Sequence, residues 1–448
     1  MSLDPYDEAY DENGHPRPHY ADLLGAIERP AELAAAVKER LRAMGVTFGA
    51  AADGIFALDP VPRLLTAAEW GELQAGVAQR LRTLDAFAAD VYGEQRSLAE
   101  GVVPRAAVEG SPHYEPAMRG APVSRWVAFA GLDVIRCPDG RFRVIEDQVR
   151  MPSGMAYAVV SREILGEVLP IAPPIADLSG AYDDLARALR DAAPPGVDEP
   201  RMVLLCEGPS AAAWWEHELL SRLLGAPVVT IGDLERRRDR LSAWIDGRSQ
   251  GVDLVYHRTD EDRFTGTGLE ILVEPCRAGR LSVVNAPGAG VADDKLVHAH
   301  HDDLVRFFCG EEPLLPSVRS VAAATLGEKL AGYVVKPRGE MGGDHVVLWD
   351  HADDSTRRRT LEAVRRDPDG FIAQEQVTLS VHPTVCDGRL VPRHVDFRPY
   401  AALGAGGVSV LAGGVSRVAL EEGSMVVNSG QGGGAKDTWV PGSVGPLG

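Results

Sequence analysis

Apolar residues recur at three- and four-residue spacing in two long stretches, Ala31 to Met44 and Ala67 to Tyr92. Strong helix formers fill the gaps, and both stretches are predicted as helices. From there to about Val168 the pattern turns to strands. The run RFRVIE, residues 141 to 146, alternates as a strand with one buried face does. Pro170 to Pro174 and Asp191 to Pro200 are rich in proline and acidic residues and read as a connector and a boundary. Beyond them, RMVLLCEGPS followed by AAAWWEHELLSRLLGAPVVTI reads strand, turn, helix, strand. This predicts a small parallel α/β unit of Rossmann type over about 200 to 290. Ala292 to about Val377 reads as a helix, then strands around a glycine loop. The segment from Gly404 on is glycine-rich but interleaved with β-branched residues, which predicts tight turns within a sheet and not a flexible linker. The pattern holds no internal repeat, and it partitions the chain into 1–170, 195–290, 291–378 and 379–448.

Composition narrows the function classes. The 448 residues, 45% hydrophobic and 25% charged, suit a globular protein of about three domains. A formal charge of -19 argues against an extended nucleic-acid surface, since the longest basic run is Arg357-Arg358-Arg359. Any phosphate must therefore be bound in a local pocket. Five scattered cysteines, none in CxxC, indicate neither a disulfide framework nor a zinc knuckle. The N-terminus is acidic and polar, unlike a signal peptide, and no run of about 18 apolar residues occurs. A cytoplasmic protein with no membrane partner is expected, and its oligomeric state is left open.

Three stretches carry candidate chemistry. In YVVKPRGEMGG an apolar strand delivers Lys336, Pro337 ends the ladder, and Gly339, Gly342 and Gly343 allow backbone amides to approach a ligand closely. Phosphate is the natural ligand for a lysine beside such a loop, although a plain hairpin turn has similar residues. In FIAQEQV the strand ends with Gln374, Glu375 and Gln376 before Val377. If the glycine loop binds phosphate, this backbone borders adenine and Glu375 reaches the ribose; otherwise it is a polar strand end. In the third stretch Asp133 lies in WVAFAGLDVIR and Glu146 and Gln148 in EDQVRMPSG, with a PDG turn between them. A hairpin brings Asp133, Glu146 and the Gln148 oxygen to one face, because residues two apart in a strand point the same way. Hard oxygen donors of this kind suit Mg²⁺, and Arg150 follows beside them.

Other motifs point less directly to chemistry. GQGGGAKDT is not a P-loop, since Ala435 and Asp437 flank Lys436 where glycine and Ser or Thr are needed. Asn428, Gln431 and Lys436 are instead candidates for lining a substrate or nucleotide pocket, as are Ser153 and Arg393 for substrate. PRHVDFR, with Arg393, His394, Asp396 and Arg398, favours an arginine-centred anion site, and Arg417 is a further candidate of that kind. His298, His300 and His301 are explained by the polar face of a helix. The unit at 200 to 290 lacks GxGxxG, which weakens a dehydrogenase reading.

These residues together resemble the ATP-grasp ligases. Asp133, Glu146 and Gln148 resemble their magnesium-binding end; Lys295 in GVADDK, Lys336 and the QEQV hinge resemble their nucleotide-binding beginning. The order is reversed here, as in the circularly permuted ATP-grasp proteins. The blocks YDEAYDENGHPRPHY, PVPRLLTAAEW, GSPHYEP, EDQVRMPSG, GVADDK, PRHVDFRPY and NSGQGGGAKDTWV extend that resemblance over nearly the whole chain. One departure is Gln148, where the family pattern has Asn.

The resemblance implies an ATP-grasp fold with a Rossmann-like pre-domain at 195–290. Residues 1–170 then carry the N-terminal arm and metal half, 291–378 the nucleotide lid, and 379–448 the remainder of the core. It implies ATP and Mg²⁺ as cofactors, with Lys295 and Lys336 on α- and β-oxygens and Arg150, Arg398 and Arg417 as catalytic residues. A substrate carboxylate, small or peptide-like, forms an acylphosphate that an amine then displaces, releasing ADP. Arg63, His113 and Tyr114 fall in blocks assigned to the acceptor side. The alternative is a nucleotide-binding scaffold whose Gln148 marks a degenerate metal site.

Overall fold

The computed structural model describes residues 4–49, 54–171, 174–259, 261, 263–339, 345–424, 427 and 433–442. Helices α1 (Pro30–Ala43) and α2 (Ala67–Tyr92) form where the apolar spacing predicts them, with the short strand β1 (Arg63–Leu64) between. The Thr66 side chain accepts from the Glu69 amide at 3.3 Å and Glu69 accepts from the Thr66 amide at 2.8 Å, so two of the orphan donors at the start of α2 are satisfied reciprocally. Trp70, Leu73, Val77, Leu81, Leu84 and Val91 then form one buried stripe along α2.

Strands β2 (Phe129–Arg136) and β3 (Phe142–Gln148) are the expected hairpin. Their register slips between Asp133 and Val134, so that Asp133 lies opposite Glu146 while Val134 lies opposite Val144. This bulge re-phases β3. Val144 joins the core under α2 and Asp147, three residues on, pairs with Arg80 of α2. Glu146 and Gln148 are left on the other face with Asp133.

The chain beyond β3 departs from expectation, because 155 to 168 is not strand but helix α3 (Met155–Val168). Most of its residues are buried, Ser161 and Arg162 included, so the helical period is hidden in the sequence. Its first turn is capped from far away, by the Glu216 carboxylate accepting from the Gly154 and Ala156 amides at 3.0 and 2.9 Å.

The middle of the chain contains α4 (Ala181–Asp191), β4 (Met202–Leu205), α5 (Trp214–Leu224) and β5 (Val228–Val229), and then a meander of β6 (Leu234–Arg237), β7 (Arg240–Ile245) and β8 (Arg248–Val252). It closes with β9 (Leu254–His257) and β10 (Ser282–Val284). A parallel sheet of order β10–β9–β4–β5 results. The antiparallel meander is an insertion that the periodicity did not foretell.

Next come α6 (Lys295–His298), α7 (His301–Cys309), β11 (Ser320–Ala322), β12 (Tyr333–Pro337), β13 (Val347–Leu348), α8 (Asp354–Arg366) and β14 (Phe371–Glu375). Their antiparallel sheet, β11–β14–β12–β13, has its own small core around Ala323, Leu330, Val335, Trp349 and Ala373. After the hairpin β15 (Val381–Cys386) and β16 (Arg389–His394), the strands β17 (Arg398–Gly404), β18 (Gly407–Val418) and β19 (Gly434–Trp439) return to the first region.

The main sheet has the order β1–β19–β18–β17–β2–β3, so its two ends of chain sequence are interleaved in space. Helix α2 packs against β17, β18 and β2, while α3 packs against β18 and β19. The face of β2 and β3 that carries Asp133, Glu146 and Gln148 is turned toward the β11–β14 sheet, through Gln374, which donates to the Ile145 carbonyl at 3.0 Å. Among the described residues no helix is long and apolar enough to cross a membrane.

Candidate active site

The bulged hairpin sets Asp133 and Glu146 side by side, and the neighbouring strand β17 brings Arg398 to them. Arg398 reaches Asp133 at 2.6 Å, and Arg417 of β18 reaches its other oxygen at 2.8 Å. Gly131, opposite Gln148, packs beside Arg398: a Cβ there would lie 3.2 Å from the Pro152 Cβ and 3.4 Å from the Arg398 Cγ and Cδ. Asp396, fully buried, binds Arg417 as well, with Nε to Oδ2 at 2.9 Å. Burial works against charge on Asp133, yet Arg398 and Arg417 outweigh it and hold the carboxyl below its ordinary value. For Asp396 burial prevails and the carboxyl is raised.

Lys295, at the start of α6, lies 3.3 Å from Glu146 Oε1, which accepts no hydrogen bond from any described group. Lys336 in β12 approaches from the second sheet and donates to Gln374 Oε1 at 2.7 Å. Gln374 in turn donates to Ile145 and, at 3.0 Å, to Ser320. Burial opposes ionisation of Glu146, but Lys295, Lys336 and Arg150 together hold its carboxyl low. Burial, with the neighbouring Lys295 and Arg417, lowers the Lys336 ammonium although Glu146 and Asp133 favour its charge. Arg150 is buried and fixed by Asp293 at 2.8 Å and His113 at 3.1 Å. Asp133, Glu146, Lys295, Lys336, Arg150, Arg398 and Arg417 therefore form one charge cluster.

The remaining sequence-predicted residues fall in several places. Gln148 is on the Asp133 face, opposite Gly131. Pro337 ends β12 opposite Phe371, and Gly339 is exposed at the start of the loop. Gln376 is held through its amide by the Gly332 carbonyl, and Val377 packs near Ile135 and Leu379. Ser153 accepts from Arg258 at 2.7 Å and, through its carbonyl, from Tyr400 at 2.9 Å, in the turn between β3 and α3. Gly342, Gly343, Asn428 and Gln431 lie outside the described residues.

Three expectations are corrected. Lys436 lines no pocket: its ammonium is fully buried, pairs with Asp59 and donates to the Pro383 carbonyl at 3.0 Å. Among the described residues Arg393 joins none of the ion pairs of the cluster; its Nε and Nη1 donate to the carbonyls of Leu420 and Pro392 on an exposed edge. Glu375 keeps its reading as a candidate ribose contact and lies 3.3 Å from the exposed Arg319. His298 and His301 do not sit on a polar helix face. Both are buried, and His298 Nδ1 lies 2.8 Å from Asp147, which also takes both Nε and Nη2 of Arg80 at 3.0 and 2.9 Å. Arg63 is likewise buried, paired with Glu8 at 2.5 Å.

The sequence reading passes over Arg80 and gives Asp147, Asp293 and Asp294 no supporting role, yet all four brace the cluster from behind. One signal was available: Asp147 stands between Glu146 and Gln148, so alternation sends it to the apolar side, where a lone carboxylate needs a partner. Arg80 is that partner.

The donor set can be tested for a cation. Among the described residues no group of three His, Cys, Asp or Glu side chains could hold a metal. Magnesium does not need one, since it commonly takes one or two protein carboxylates and completes its shell with water and phosphate oxygens. Asp133, Glu146 and the Gln148 amide are donors of that kind; in this arrangement the Asp133 oxygens are ion-paired with Arg398 and Arg417, and Glu146 Oε1 with Lys295.

Two sheets closing on a mixed cluster of carboxylates, lysines and arginines, assembled from the early and late parts of the chain, define the ATP-grasp class with permuted order. The chain belongs to the family described as circularly permuted ATP-grasp type 2, which matches residues 62–419. A putative glutamate–cysteine ligase 2-3 of Frankia alni is 39% identical over 97% of this chain, which covers 54% of that protein's length. The chain thus spans about half of that relative. An uncharacterised protein of Synechocystis sp. is 34% identical, with 98% of each chain covered. The solved apo structure of a glutathione synthetase-like effector from Globodera pallida superposes with a TM-score of 0.61 at 12% identity, over 96% of this chain and 99% of that one. That likeness bears on the fold alone.

Proposed function

We propose that this chain is an ATP-dependent ligase that joins a carboxylate to an amine through an acylphosphate and releases ADP and phosphate. One observation carries the reading: segments remote in sequence deliver Asp133, Glu146, Lys295, Lys336, Arg398 and Arg417 to a single cluster between two sheets. Phosphoryl transfer asks a protein mainly for placement and charge compensation, and needs no protein nucleophile. In this reading Lys295 and Lys336 neutralise α- and β-phosphate oxygens, and the backbone from Gln374 to Val377 borders the adenine. Arg398, Arg417 and Arg150 steady the transferring phosphoryl group and the acylphosphate. Asp133, Glu146 and Gln148 would hold Mg²⁺, which when bound neutralises and bridges phosphate oxygens.

Residues 195–290, with their parallel sheet, are taken as the pre-ATP-grasp domain, 291–378 as the nucleotide lid, and 1–170 with 379–448 as the two halves of the core. The described cysteines are free thiols, which supports a reducing, cytoplasmic setting. The glutamate–cysteine ligase name belongs to a relative nearly twice as long, so its substrates are not transferred to this chain.

The test is ADP release with MgATP against a panel of amino acids, peptides and polyamines, with the Asp133→Ala variant alongside. Substrate-stimulated ADP that the variant abolishes supports the ligase. A second reading, an ATP-binding scaffold, draws on Gln148 in place of Asn and on both Asp133 oxygens being held by arginines. It predicts tight ATP binding with no stimulated ADP from any member of the panel.

A further inference from the structure

Two lysines stand at one carboxylate in this site, and like charges do not gather without a device that holds them. Lys295 lies 3.3 Å from Glu146, and Lys336 acts on the same carboxyl from a different sheet. The residue before Lys295 is Asp294, and two residues after Lys336 is Arg338. Arg338 Nε donates to both Asp294 oxygens, at 2.7 and 2.8 Å, in a pair that is almost wholly buried.

We infer that the Asp294–Arg338 pair is the positioning device that brings the two lysine-bearing segments to one phosphate site. This rests on the reading of Lys295 and Lys336 as nucleotide ligands.

Each partner is over-determined. Asp294 accepts from the Leu296 amide at 2.9 Å, which fixes the turn that aims Lys295, and from Ser111 Oγ at 2.7 Å. Arg338 also donates to the Ala107 carbonyl, while its own amide donates to the Gly370 carbonyl at 2.8 Å. Gly110 lies against it: a Cβ there would come 2.8 Å from the Ala106 carbonyl oxygen and 3.3 Å from Arg338 Nη1. Three segments, 105–111, 294–298 and 336–339, are thereby tied at one guanidinium. Arg338 also directly precedes Gly339, where the glycine loop begins. A planar guanidinium that gives Nε to the Asp294 carboxylate and Nη2 to the Ala107 carbonyl fixes direction as well as distance, which a lysine cannot do. Neither residue touches the Glu146 carboxyl, so both act through the lysines they flank.

The experiment is a double-mutant cycle read by calorimetric binding of ADP with Mg²⁺ to the full chain. Arg338→Met is expected to weaken ADP by about tenfold, the scale on which loss of an outer-shell partner is felt. In a Lys295→Met/Lys336→Met background the same substitution is expected to cost almost nothing more, because the groups it positions are gone. A full tenfold loss in both backgrounds would mean a general structural role and overturns the inference. So does an unchanged affinity in Arg338→Met while Lys336→Met binds poorly. If Lys336→Met itself binds ADP as the wild type does, the nucleotide reading falls and takes this inference with it, a result distinct from the other two. Arg338→Lys keeps the buried charge and supplies the same comparison should Arg338→Met not fold.

Discussion

Asp147 illustrates how much one residue decides. Burial opposes its charge, but Arg80, followed by His301 and His298, more than offsets that and holds the carboxyl well below the usual aspartate range. An acid whose folded value is depressed contributes stability above its unfolded value, near pH 4, and loses it as the pH falls toward the folded one. Asp147→Asn leaves the buried Arg80 with only the partly exposed Asp302, 3.8 Å away, as a counter-charge, and a loss of about 3 kcal/mol is expected at pH 7 by urea denaturation. The gap from wild type should narrow below about pH 4. A gap that stays constant down to pH 3 contradicts the assignment. At this scale the sequence was informative where a polar residue ends an apolar run, as Glu146 and Lys336 do. It misled at Lys436, because β19 alternation sends Ala435 and Asp437 to one face and Lys436 to the other. The partner that buries it, Asp59, is far away in the chain and left no local trace.

Helix α3 shows the same limit for elements. Thr66 and Glu69 announce α2 from within four residues of sequence, and that helix forms as predicted. The cap of α3 is Glu216, supplied by α5, and no reading of 150 to 160 alone contains it. Glu216 also pairs with Arg258 at 2.9 Å, both side chains being buried. Glu216→Ala therefore removes a cap and strands a guanidinium. A loss of about 3–5 kcal/mol is expected, and the double variant Glu216→Ala/Arg258→Met should recover part of it in the same denaturation series. A double variant less stable than the single one would show that Arg258 is satisfied by the Pro152 carbonyl and Ser153 without Glu216.

For the whole molecule, the prediction concerns how distant parts respond together. The hairpin Phe129–Gln148 and the strands Tyr333–Pro337 and Phe371–Glu375 border one cluster, so a nucleotide bound there stabilises them jointly. Hydrogen exchange with and without MgADP should slow in both regions at the same ligand concentration. Slowing confined to one region would separate the lysine loop from the carboxylates. The permuted order was legible because its motifs are short and local. The meander β6–β8 was not, since an inserted antiparallel unit changes neither the flanking parallel strands nor their spacing signals.

The strand order of the main sheet also governs how this protein is made. β2 pairs on one side with β3, which follows at once, and on the other with β17, which does not exist until residue 404 has been synthesised. At roughly 5–20 residues per second, a nascent chain waits about ten to fifty seconds after β3 with an apolar strand edge bare. During that interval the emerging polypeptide is most open to mispairing with its neighbours on the polysome, and a chaperone that shields the edge of β2 would raise the yield of folded protein.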